Sequence, residues 1–240
     1  AHGADGIPGA VWVAHRSGAI IRPMRHAYLG PSFDDTAVKS TLERFHIPNR
    51  HFSDAGIVDR VAGLLARGEV VAWFQGRMEY GPRALGNRSI LGNPLAAGTA
   101  DRINGEIKFR EKWRPFCPSI AGEEAQQILD SSHPSPFMAL SFIVNPTWRE
   151  KLPEAVHVDG SARPQIVTKD LNPRFHALIR AFCQHTGVPV VLNTSLNRRG
   201  EPIVCTPEDA LRTFYGSGLR FLAIGDRLVA KNPKQLEEEL

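Results

Sequence analysis

Two consecutive patterns between residues 53 and 74 restrict this chain more than any other feature. Ile57, Val58, Val61, Leu64 and Leu65 recur at helical spacing after Ser53, a residue suited to cap a helix, and the run stops at Gly68. Glu69-Val70-Val71-Ala72-Trp73-Phe74 follows at once without alternation, the pattern of a strand buried on both faces. A helix feeding straight into such a strand is an α/β signature. Further along, helices are expected from about Ala100 to Ile107 and from Glu123 to Leu129, then a strand from Met138 to Val144. Pro173 opens a helix carrying Phe175, Leu178, Ile179 and Phe182, closed by Gly187, and Val188–Leu192 reads as the next strand. Pro207–Tyr215 reads as a helix, its Pro-Glu-Asp opening suited to the positive end of the dipole, and Phe221–Ile224 as a strand.

Residues 1–50 show little periodicity. Ala10-Val11-Trp12-Val13-Ala14 reads as one short strand after a loop holding Gly3, Gly6, Pro8 and Gly9. Ile21 to Pro31 reads as an extended connector, with a short helix from Asp35 to about Phe45. The chain therefore divides into a connector, residues 1–50, and one α/β domain, residues 51–240, whose end from Lys234 to Leu240 reads as a frayed tail. A composition of 42% hydrophobic and 22% charged residues excludes intrinsic disorder. No apolar run approaches the roughly 18 residues of a membrane span, and no signal peptide opens the chain. Cys117, Cys183 and Cys205 form neither a zinc-type spacing nor an even disulfide framework, which points to the reducing cytoplasm. The chain starts at Ala1 rather than Met, so it reads as a processed product or a piece of something longer.

A net charge of +4 suits a small anion as well as nucleic acid, so the placement of the arginines decides. Gly76 to Leu91 directly follows the buried strand as a loop holding Arg77, Arg83 and Arg88 among glycines, with Pro82 fixing the backbone before Arg83. Glu79 can neutralise one arginine at most, so the others call for a bound anion. In Lys108-Phe109-Arg110 an extended backbone would point both cations to one face, and Arg114 lies between Trp113 and Phe116. A surface edge strand with gatekeeper charges explains that cluster equally well. In His157-Val158-Asp159-Gly160-Ser161-Ala162-Arg163, Asp159 could orient Arg163, hold a metal through water, or simply close a turn. Finally, Val190-Val191-Leu192 runs into Asn193, Thr194, Ser195 and Asn197, small polar groups beyond the carboxyl end of a strand, where α/β sheets gather ligands. Asn and Ser also favour turns for local reasons. Repetition favours a pocket for phosphate groups: strand ends and loops all bring cations or small donors without matching carboxylates. There is no Gly-x4-Gly-Lys-Ser/Thr loop, no Gly-x-Gly-x-x-Gly, no Gly-x-Ser-x-Gly elbow and no His-x3-His pair, and lone histidines such as His157 and His176 read as core or surface residues.

Gly76–Leu91, Trp113-Arg114-Pro115-Phe116, His157–Gly160 and Asn193–Asn197 through Gly200-Glu201-Pro202-Ile203-Val204 resemble, in order, the C-terminal domain of the O-carbamoyltransferases of nodulation factors, cephems, aminoglycosides and ansamycins. The resemblance covers about residues 25–230. Leu196 stands where the family usually carries Phe. It implies a YrdC-like fold, a twisted open mixed sheet with helices packed on it. It also implies that carbamoyl phosphate and ATP, with Mg2+ arriving on the nucleotide, yield carbamoyl-adenylate for transfer to the hydroxyl of a small-molecule acceptor, as in antibiotic biosynthesis. By the same resemblance Arg83, Arg114 and Lys108 would be catalytic. Arg83, Arg114, Arg163, Ser195 and Asn193 would hold carbamoyl phosphate; Lys108, Arg110, Ser195, Asn197 and Arg88 would hold the nucleotide. No metal ligand falls in this chain. A preceding ASKHA-type domain, with its own metal, would carry out the transfer, and residues 1–30 would hold its last strand and the connector. The alternative is a YrdC-like nucleotide- or RNA-binding module without chemistry; the aromatics lie mostly in apolar runs, which argues against RNA stacking.

Overall fold

The computed structural model describes residues 6–111, 116–131 and 133–237. The chain opens with helices α1 (Gly6–Arg16) and α2 (Asp35–Arg44), strand β1 (Arg50–His51) and helix α3 (Asp54–Ala66). Strands β2 (Val71–Phe74) and β3 (Arg88–Gly92) flank a long loop, and α4 (Thr99–Arg102) runs into a π-helical turn, Ile103–Lys108. Next come β4 (Cys117–Ala121), α5 (Ala125–Ile128), β5 (Phe142–Ile143), α6 (Pro146–Arg149), β6 (Ser161–Ala162) and β7 (Gln165–Val167). The remainder is α7 (Pro173–Thr186), β8 (Val190–Ser195), α8 (Pro207–Tyr215), β9 (Phe221–Ile224), β10 (Arg227–Ala230) and α9 (Lys234–Glu237).

Eight strands form one mixed sheet in the order β1-β10-β9-β2-β3-β8-β4-β7, in which β2 runs parallel to β9 and β4 parallel to β7. Strand residues alternate between two cores. Phe74, Ile90, Ile120 and Leu222 pack on one face with Val38 and Leu42 of α2 and Phe214 of α8. Trp73, Leu91, Val191 and Ala223 pack on the other with Ile57 and Val61 of α3 and Phe175 and Phe182 of α7. Both faces being covered is why β2 reads as an unalternating apolar run. Buried apolar residues thus occur ahead of residue 51, Ala27 and Val38 among them.

Caps fall where the local chemistry predicts them. Ser53 accepts from the Gly56 N–H, Thr206 and Asp209 form a reciprocal capping box, and Gly187 ends α7 at φ 74°.

Other expectations are corrected. Ala10–Ala14 is not a strand but part of α1. Pro8 lies in that helix's first turn, where its lacking N–H costs nothing, and no breaker follows Gly9. The expected strand over Met138–Val144 shortens to Phe142–Ile143 because Met138 takes φ 52°. Arg88–Leu91 is strand rather than loop, and Asn193–Ser195 continues β8 rather than following it. Cys117–Ala121 is an interior strand between β8 and β7, which removes the edge-strand reading for that segment. Lys234–Glu237 is helical rather than frayed, and β10 had no expectation attached to it. The expected last strand of a preceding domain gives way to α1 over residues 6–16; Ala1–Asp5 lies outside the described residues.

Candidate functional site

The β2–β3 loop is held from within. Glu79 is buried, and its Oε1 accepts the backbone N–H groups of Leu85 and Asn87 at 2.7 Å each and of Arg88 at 3.3 Å. Burial raises the Glu79 pKa, against the pull of those bonds. Gly86, at φ 99°, touches the Phe175 ring so closely that a Cβ would overlap it. Its carbonyl accepts from Trp73 Nε1 at 2.9 Å and Gln75 Nε2 at 3.0 Å. This scaffold leaves Pro82, Arg83 and Ala84 lining an open hollow.

The rest of the lining comes from distant stretches: Arg110, Phe116 and Cys117; Met138 and Arg163; and Asn193, Thr194 and Ser195 of β8. Three arginines thus meet in one hollow, and no carboxylate is among the described residues lining it. Arg163 donates to Cys117 Sγ at 3.1 Å through Nη2. Arg110 is steadied by Asn104 Oδ1, 2.6 Å from its Nε, and by the Phe116 ring 4.6 Å from its guanidinium carbon. Burial lowers the Arg83 pKa, and repulsion from Arg163 lowers it further. Two cations near enough to repel, in a partly desolvated hollow, favour an anion between them.

Lys108 stands directly behind Ser195. Its Nζ donates to Ser195 O, to Ser195 Oγ at 3.2 Å, to Asn197 O at 3.1 Å and to Asn197 Oδ1 at 2.6 Å. Burial, then repulsion from Arg110, pushes its pKa down to about 7. The Lys108–Arg110 pair is not extended: Lys108 ends the π-turn, and Phe109 takes φ 48°. That left-handed step separates the two cations, sending Lys108 behind β8 and Arg110 into the hollow. Ser195 and Asn197 do meet, Ser195 Oγ donating to Asn197 Oδ1 at 2.7 Å.

Arg88 is elsewhere. Fully buried, it donates to the carbonyls of Gln75 at 2.6 Å, Asn87 at 3.0 Å, and Gly76 and Cys205 at 3.3 Å. Its guanidinium carbon lies 3.7 Å from the Phe74 ring centroid, and burial pushes its pKa down to about 10. An arginine so enclosed has no face for a nucleotide, which corrects the expectation for it. Arg77 is likewise spent on the Leu29 and Gly30 carbonyls. Asp159 closes a turn by accepting from the Ser161 N–H at 2.9 Å, and His176 pairs with Glu123 at 2.9 Å. Arg114 lies outside the described residues. Among the described residues no group of three His, Cys, Asp or Glu could hold a metal ion.

Residues 62–231 match the family described as the carbamoyltransferase C-terminus. The chain belongs to that family. It is 41% identical over 221 residues to the nodulation protein NolNO of Sinorhizobium fredii, covering 90% of this chain and 32% of that protein. It is 42% identical over 168 residues to the 3'-hydroxymethylcephem-O-carbamoyltransferase of Amycolatopsis lactamdurans, covering 70% of this chain and 32% of that enzyme. The chain thus spans about a third of the length of these relatives. Among solved structures, P. abyssi Sua5 complexed with L-threonine is similar with a TM-score of 0.51 at 16% identity, over 74% of this chain and 48% of that one. Full-length HypF in its phosphate- and nucleotide-bound form has a TM-score of 0.50 at 17% identity, over 88% of this chain and 31% of that one. These likenesses bear on the fold, which is the YrdC-like mixed sheet of the sequence expectation.

For a carbamoyltransferase C-terminal domain, sequence reasoning overlooked the supports of the hollow. Glu79 reads in the sequence as a counter-ion, but in the fold it acts as a backbone staple. Asn104, Ser119 and Gln165 carry no sequence signal, being ordinary polar residues until the fold brings them together. No helix among the described residues is long and apolar enough to cross a membrane.

Proposed function

We propose that this domain seats carbamoyl phosphate and ATP and joins them as carbamoyl-adenylate, the activating half of an O-carbamoyltransferase reaction. The observation that carries this reading is the convergence of Arg83 and Arg163, with Arg110 beside them, on one hollow whose described lining residues include no carboxylate. Arginine forks bind phosphate oxygens two at a time and keep their charge, as a site for two polyanions requires. Arg83 and Arg163 face the donor phosphate, and Arg114 joins them by the family resemblance. Asn193 and Ser195 hold the carbamoyl end.

The nucleotide lies toward Arg110, Ser195 and Asn197, with Lys108 behind them. A lysine whose pKa is depressed to about 7 becomes a full ammonium as phosphates approach, placing charge where it develops at the α-phosphate. In the overall balance one water is consumed: the carbamoyl–phosphate linkage breaks to release phosphate, and a carbamate oxygen bonds to the α-phosphorus as pyrophosphate leaves. Magnesium would arrive with ATP and would supply charge neutralisation at its phosphates.

Transfer to the hydroxyl of a small-molecule acceptor, an antibiotic precursor among the candidates, belongs in this proposal to an ASKHA-type partner domain outside this chain. A cytoplasmic setting is part of the same reading. Calorimetric titration of the chain with carbamoyl phosphate, with and without a non-hydrolysable ATP analogue, tests the proposal. Binding is expected, weakened by about 10- to 100-fold in Arg83→Ala with the fold unchanged, as for one or two charge-assisted bonds. Undiminished binding in that variant removes the assignment.

A further inference from the structure

Cys117 occupies a place in the hollow that the proposed function leaves unused. It is a free thiol, 8% exposed, and it lines the hollow together with Arg83 and Arg163. Arg163 grips its sulfur with one fork, Nη2 donating to Sγ at 3.1 Å and Nε at 3.4 Å. Arg83 lies near enough to interact with the same sulfur electrostatically. An electropositive setting that opens on a hollow is where thiols react with oxidants, whereas thiols packed in apolar surroundings stay inert. The other two cysteines lack that setting. Cys183 has Glu124 near it as well as Arg180, and burial pushes its thiol up. Cys205 lies near Arg88, but that guanidinium is spent on backbone carbonyls.

A second feature fits an oxygen placed on the Cys117 sulfur. Asn193 stands directly opposite Cys117 in the β4–β8 ladder and is 2% exposed. Residues so paired hold their side chains within reach of each other on one face of the sheet. Asn193 Nδ2 donates to Ser119 Oγ at 3.0 Å and to Gln165 Oε1 at 3.1 Å, so both amide protons are used. Its Oδ1 is left buried with no donor among the described residues.

We infer that Cys117 is an oxidation site that closes the hollow: a peroxide converts its thiol to a sulfenic acid, whose hydroxyl pairs with Asn193 Oδ1 and stands where an anion would sit beside Arg83 and Arg163. The sulfur attacks one peroxide oxygen, the O–O bond breaks, and the other oxygen leaves with the thiol proton as water. Sulfur loses two electrons and the peroxide gains them, so the peroxide is the whole of the oxidant required. A thiol reductant reverses the step through a mixed disulfide. The inference rests on the proposed function only in asking that the hollow take an anion.

The test treats the whole chain with hydrogen peroxide, traps sulfenic acid with dimedone, and follows the label at each cysteine by peptide mass spectrometry. Label is expected at Cys117 about ten-fold faster than at Cys183 or Cys205. Label spread evenly, or led by another cysteine, overturns the inference. In a parallel sample without dimedone, peroxide is expected to weaken inorganic phosphate binding by about ten-fold or more in calorimetry, and dithiothreitol to restore it. Cys117→Ser, compared with its own untreated form, is expected to show no such loss, whereas the Cys183→Ser/Cys205→Ser double variant keeps it. A loss that survives Cys117→Ser overturns the inference, as does undiminished phosphate binding by a chain oxidised at Cys117. If Cys117→Ser does not fold, the dimedone map and the phosphate titration of the unsubstituted chain decide the matter. Failure of phosphate to bind before peroxide is added would overturn the proposed function itself, a different result from a map without Cys117 in the lead.

Discussion

Arg83, in the β2–β3 loop, and Arg88, the first residue of β3, are five residues apart and have opposite surroundings. Arg88 is enclosed by backbone carbonyls of the loop that it stabilises and rests on Phe74. Arg83 lines the hollow, repelled by Arg163, with no carboxylate beside it among the described lining residues. Elsewhere arginines find acids: Arg102 and Arg220 share Glu69, and Arg174 meets Asp226 and Asp54. The contrast teaches that an arginine in a glycine-rich loop is not by itself a ligand contact. What separates the two uses is whether the fold supplies acceptors for the guanidinium, and Glu79, stapling the backbone between them, sets which one turns inward.

The largest effect expected from this contrast is on stability. Arg88→Met strips a set of buried carbonyls of their donor and should cost at least ~3 kcal/mol in urea unfolding. Arg83→Ala should change stability by no more than about 0.5 kcal/mol, since an exposed cation with no carboxylate beside it among the described residues contributes little. Similar losses in the two variants would break the comparison.

The Lys108→Met variant sharpens it next. The folded pKa of Lys108, about 7, lies below its ordinary value of 10.5, so between those values the unfolded chain holds more protons. Stability of the unsubstituted chain relative to Lys108→Met should therefore rise as pH increases from about 7 to 10.5 and be flat below 7, in unfolding titrations across that range. A flat difference throughout would mean that Lys108 keeps its charge in the fold.

The Glu79 effect is opposite in sign. Its folded pKa lies above the ordinary 4.5, so the folded chain binds that proton more tightly. Its contribution is greatest below about pH 4.5 and falls as pH rises through the folded value, by roughly 1.4 kcal/mol for each unit of displacement. Comparison with Glu79→Gln cancels Asp35, Glu201 and Asp209, whose lowered pKa values act the other way. A difference that grows with pH would overturn this.

Much of the scaffold was legible because its signals are local. The Ile57–Leu65 spacing, the Ser53 cap and the Pro207 opening each lie within a few residues of the element that they define, and α3, β2, α7, α8 and β9 follow from them. Errors came where local signals were ambiguous. Pro and Gly at residues 6–9 read as loop but open a helix, and Lys108-Phe109-Arg110 read as extended although a π-turn and a left-handed Phe109 divide it. At the candidate site, the sequence marked Arg83, Arg163, Asn193 and Ser195 as polar groups without local partners. It could not separate Arg83 from Arg88, which carries the same side chain five residues on.

Residue order and apolar period alone determined that this chain builds an α/β sheet covered on both faces, because those preferences act over a few residues and need no distant partner. Only the tertiary structure decided which cations are satisfied and which are left facing a hollow. A guanidinium carries no record of its acceptors, and the carbonyls that close around Arg88, like the arginines that gather beside Arg83, arrive from stretches that meet only when the sheet has formed.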